Sequence, residues 1–74
     1  MFYHNAERAE ALLWAALNSL LATYGEGHRK ISKALAVKII MKQMGVTEKT
    51  AVEYLKYMDR SESQIKMNYE EVWI

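Results

Sequence analysis

The sequence predicts a small, mainly helical α+β domain in the order helix, strand, helix, helix, strand, strand. Three observations predict it. A long apolar run with helical spacing ends at Gly25. Two shorter helical patterns flank the corner Met44-Gly45-Val46-Thr47. Beyond residue 63 the pattern changes to the alternation of a strand. A chain of 74 residues is one domain with a marginal core of its own, so self-association is a fair expectation. Hydrophobic residues make up 51% of it, enough that some apolar surface is expected to meet a partner.

Helix α1 is expected over 5–24, with Asn5 as N-cap and Gly25 as terminator. Leu12, Leu13, Ala16, Leu17, Leu20, Leu21 and Tyr24 form its expected core side. The other side carries Ala11, Trp14, Ala15, Asn18 and Ala22, where a surface helix would carry Lys and Glu. Small residues beside one Trp allow two helices to approach closely, which predicts a homodimer contact. The alternative is an exposed alanine-rich face chosen for helix propensity.

Gly25-Glu26-Gly27-His28 reads as the one flexible linker, and Arg29-Lys30-Ile31 as a short extended segment, β1. Ser32 can cap α2, residues 33–44, whose apolar side is Leu35, Ala36, Ile39, Ile40 and Met44. Lys38 and Lys42, four apart, share the opposite side. Gly45 suits a left-handed helix end, Val46 plugs the corner, and Thr47 caps α3, residues 48–59. Glu48 in the first turn suits the helix dipole. Ala51, Tyr54, Leu55 and Met58 should face inward. Gln64-Ile65-Lys66-Met67 (β2) and Glu71-Val72-Trp73-Ile74 (β3) read as a hairpin turning at Asn68-Tyr69-Glu70. Ile65, Tyr69, Val72 and Trp73 also fit one face of a fourth helix, so an all-α fold stays open.

The run GVTEKTAVEYLKYM, with the helix before it, resembles the turn and recognition helix of helix-turn-helix and winged-helix DNA-binding domains. The likeness is to small regulators of archaea, their viruses and their plasmids. It covers residues 29–60 well and the C-terminal stretch loosely. It implies a winged helix-turn-helix, α1-β1-α2-α3-β2-β3, as a single domain over 1–74, with the motif at 32–59 and the wing at 64–74. It also implies a transcription regulator that binds double-stranded DNA through the major groove. Residues at and just inside the N-terminus of such a helix reach base edges. These positions are Thr47, Glu48, Lys49, Thr50, Val52, Glu53, Lys56 and Tyr57.

Charge placement agrees with that reading in part. The net charge is +1, but residues 28–49 hold six bases (Arg29, Lys30, Lys33, Lys38, Lys42, Lys49) against Glu48 alone. Arg29, Lys30, Lys33, Lys38 and Lys42, with Lys66 on the wing, are the expected phosphate contacts. A solvated lysine face is the plainer explanation. Against DNA, Lys49, Lys56 and Arg60 are matched by Glu48, Glu53 and Asp59, so α3 is neutral. A protein-binding adaptor, or a subunit of a larger assembly, is therefore the competing class.

Enzymatic chemistry finds no support. There is no Cys, no Gly-rich phosphate loop after a strand, and His4 and His28 have no catalytic company. Adjacent Glu70 and Glu71 would point to opposite faces of a strand. No metal or cofactor is expected. The apolar run Ala11 to Tyr24 is too short for a membrane span and carries Asn18, Ser19 and Thr23. No secretory signal is expected, so the default compartment is the cytoplasm.

Overall fold

The computed structural model describes residues 2–74, with side chains from residue 5 onward. Three α-helices, α1 (Phe2–Tyr24), α2 (Lys33–Met44) and α3 (Glu48–Arg60), pack around one core. They are accompanied by three short strands, β1 (Lys30–Ser32), β2 (Lys66–Met67) and β3 (Glu71–Trp73). The sheet is antiparallel and ordered β1-β3-β2. Residues 64–74 thus form a hairpin, and the fourth-helix alternative is overturned.

The long helix sets the size of the molecule. Twenty-three residues at 1.5 Å each make a rod of about 35 Å, and the longest extent is 35 Å. No helix among the described residues is long and apolar enough to cross a membrane. The helix starts at Phe2, so Asn5 lies inside it and is not its N-cap. No Gly or Pro precedes Asn5 to stop the helix there. At the other end Gly25 adopts φ 92°, and its N–H donates to the Leu21 carbonyl at 2.8 Å.

The buried stripe of α1 also differs from expectation. Ala6, Ala9, Leu13 and Leu17 are fully buried, and Leu20 packs against them. Leu12, Ala16 and Leu21 are half-buried, and Tyr24 is 63% exposed. The buried stripe runs through two alanines, Ala6 and Ala9, early in the helix. Tyr24 instead meets His28 in the 3-10 turn Glu26–His28, ring centroids 5.0 Å apart.

Helix α2 begins and ends as expected. Ser32 is extended, and its hydroxyl accepts the Leu35 N–H at 3.1 Å. Gly45 closes the helix at φ 66°, donating to the Met41 carbonyl at 2.9 Å. Its buried residues are Ala36, Val37 and Ile40. Leu35, expected inside, is 43% exposed, while Ile39 and Met44 are half-buried. Val37 lines a cleft with Val52 and Leu55 of α3 and Met67 of the hairpin, on the side of α2 away from the exposed Leu35.

Helix α3 buries Ala51, Tyr54, Leu55 and Met58, the four expected. Thr47 caps it, its Oγ1 accepting the Thr50 N–H at 3.3 Å and donating to Thr50 Oγ1 at 3.1 Å. Ser61 ends it, its N–H donating to the Tyr57 carbonyl at 3.1 Å.

In the sheet, Lys30 pairs with Trp73, Ile31 with Val72 and Ser32 with Glu71; Lys66 pairs with Trp73 and Met67 with Val72. Side chains alternate across a strand. Ile31 and Val72 therefore point into the core, with Met67 packed against it, while Lys30, Trp73 and Lys66 share the outer face. The first strand is Lys30–Ser32, one residue later than expected, because Ser32 both ends the ladder and caps α2. No Gly or Pro marks the hairpin turn, and Asn68 supplies its geometry. Its Oδ1 accepts from the N–H groups of Glu70 (2.9 Å) and Glu71 (2.7 Å).

Candidate nucleic-acid interface

The corner between α2 and α3 decides which side of α3 faces water. Gly45 and Thr47 fix both helix ends within three residues, and Val46 packs against the core between them. With Ala51, Tyr54, Leu55 and Met58 turned inward, positions 49, 53, 56 and 60 line up on the opposite side at helical spacing. Lys49, Glu53, Lys56 and Arg60 are all exposed. Within this row Lys56 Nζ lies 3.8 Å from Glu53 Oε1. The helix as a whole is neutral, yet its outward row carries three cations and one carboxylate. Glu48 and Asp59 stand off that row.

Other expected base contacts sit at its margins. Thr47 and Thr50 are engaged with each other in the cap, and Glu48 is exposed beside them. Val52 and Tyr57 are half-buried and packed against the core. Val52 reaches a cleft of about 250 Å³ between α2, α3 and the hairpin. Val37, Leu55 and Met67 form its apolar walls, and Lys33 and Lys56 belong to its lining from two different helices.

The expected phosphate contacts do not form one stripe. Lys33 and Lys56 line the cleft just described. Lys38 and Lys42 are exposed one turn apart on the outward side of α2, as is Leu35. Arg29, Lys30 and Lys66 lie around a separate concave surface on the outer side of the sheet. Arg29 and Lys30 are paired, with Glu26 at 3.4 Å and Glu71 at 3.6 Å. Lys38, Lys42, Lys49 and Lys66 have no ion-pair partner among the described residues.

Two residues of these surfaces escaped the sequence reading. Val37 was not expected inside, because the α2 pattern alone does not say which neighbours cover that side of the helix. Trp73 was expected on a strand but not beside lysines, since its neighbours come from two remote strands.

On the expected dimer face, Ala11, Ala15 and Ala22 are exposed, Trp14 is 40% exposed and Asn18 is half-buried. The Asn18 Nδ2 donates to the Trp14 carbonyl at 2.8 Å, so its polar group is turned back along its own helix. The face is thereby less polar than its composition suggests.

No family model matches the chain, and neither a curated protein nor a solved structure matches it.

Proposed function

We propose that the chain is a winged helix-turn-helix domain that binds double-stranded DNA sequence-specifically as a small transcription regulator. Helix α3 enters the major groove, and the β2–β3 hairpin serves as the wing. The observation that carries this reading is the outward row Lys49, Glu53, Lys56 and Arg60. It stands on a helix whose inner side is fully committed to the core and whose start is fixed by the Gly45–Thr47 corner. Lys49 and Lys56 suit guanine acceptors or phosphates, and Glu53 suits a cytosine amine. Val52 suits a thymine methyl from the edge of the row. Lys33, at the N-terminus of α2, and Lys38 and Lys42 on its outward side, take backbone phosphates. Two copies joined along the Trp14 face of α1 would read half-sites about 34 Å apart.

The test is selection from a random duplex library followed by sequencing, with a salt titration of the selected site. A recovered motif whose affinity falls steeply with salt supports the reading. Binding only at low ionic strength, with no motif, overturns it.

A protein-interaction adaptor is the second reading. The balanced charge of α3 and the exposed Leu35 on α2 favour it, and the same selection experiment separates the two.

A further inference from the structure

The register of the sheet brings together three residues that are remote in sequence. Trp73 is on the central strand, with Lys30 directly beside it on one edge strand and Lys66 directly beside it on the other. All three lie on the face turned away from the core, where Lys30 and Lys66 are exposed and Trp73 is half-buried. Adjacent strands are about 4.8 Å apart, so the two lysines flank the indole from opposite sides over about 10 Å. They line one open concavity of about 790 Å³, which shares no residue with the α2–α3 cleft. Glu26 and Glu71 also line it, but they are taken up by Arg29 and Lys30. Lys66 has no ion-pair partner among the described residues and keeps its charge for a ligand.

We infer that this outer sheet face binds single-stranded nucleic acid, with an unpaired base stacked on Trp73 and an adjoining phosphate held by Lys66. An aromatic face beside a cation is chemically matched to a base beside a phosphate. A duplex keeps its bases in the stack and offers the indole nothing to pair with. Around Trp73 the outward residues of the ladder are Lys30, Lys66, Ser32 and Glu71, so a partner meets an aromatic ring set among charged and polar groups. The inference does not rest on α3 meeting a duplex.

The experiment uses the full chain with Trp14→Phe, which leaves Trp73 as its only tryptophan. Its emission is followed while an oligothymidylate of about ten nucleotides is added at about 50 mM salt. Quenching that saturates is expected. Anisotropy of a labelled strand then reads affinity in the otherwise native chain. Trp73→Leu is expected to weaken binding about tenfold or more and Lys66→Glu to a similar degree, while Trp73→Phe keeps most of it. Circular dichroism identifies variants that remain folded, and exposed Lys66 supplies a test that leaves the core intact. Absence of quenching overturns the inference. So does equal quenching by an abasic strand of the same length, which offers phosphates but no base to stack, or a folded Lys66→Glu variant that binds the strand as well as the parent. Lys49→Ala acts on duplex recognition alone, so either reading can fail while the other stands.

Discussion

The backbone N–H of Lys33 donates to the carbonyl oxygen of Glu70 at 2.7 Å, fixing the hairpin turn to the first turn of α2. The orphan N–H groups at a helix start need partners, and here the hairpin and the Ser32 hydroxyl each supply one. Tyr69, the turn residue just before Glu70, is 92% exposed. The hairpin is therefore held at its turn, one residue from a bare aromatic ring.

Asn68 is the residue on which that turn depends. Asn68→Ala removes the acceptor of two backbone N–H groups. It should lower stability by about 1 kcal/mol, read as a drop in the urea midpoint. Amide exchange at Glu70 and Glu71 should quicken. Unchanged exchange there would mean that the ladder alone holds the turn.

Gly45 sits at φ 66°, and a Cβ added there would meet nothing within 4 Å. The cost of Gly45→Ala is thus backbone strain alone, about 1 kcal/mol. Gly45→Asn should cost less, since Asn tolerates the left-handed region. Denaturant unfolding of the three chains gives the order directly.

Lys38→Glu with Lys42→Glu reverses two exposed charges without touching the core. Duplex affinity should fall for every sequence, and the log–log salt slope should flatten by about two. An unchanged slope removes these lysines from the interface. Lys49→Ala or Lys56→Ala should instead relax the motif recovered by selection.

Ala15→Glu places a carboxylate on the exposed α1 face beside Trp14. If that face joins two protomers, sedimentation should show the parent as a dimer and the variant as a monomer. Equal sedimentation of the two, both dimeric, would locate the contact elsewhere.

Local chemistry made much of this architecture legible in the sequence. Ser32, Gly45 and Thr47 each act within a turn of their own position, so their capping roles and the bounds of α2 follow from neighbours. Helix α3 has a strongly one-sided pattern, and its four buried residues could be named from it. Helices α1 and α2 have apolar residues on more than one side. There the buried stripe was decided by what packs on them, and Leu35 and Tyr24 came out exposed. The grouping of the cations was the least legible feature. Lys33 and Lys56 share a cleft through helix packing, and Lys30 and Lys66 flank Trp73 through strand register. Neither relation has a short-range signature.

The strand order has a consequence for how the domain can assemble. β3, the last of the three strands in sequence, is the one between the other two. β1 and β2 never touch as a ladder, so neither gains a partner until β3 has threaded in. A nick after Asn68 or Tyr69 that released the following stretch would dissolve the whole sheet and not merely shorten it. The Glu70 carbonyl that accepts from the Lys33 N–H and Val72, the ladder partner of Ile31, would leave with it.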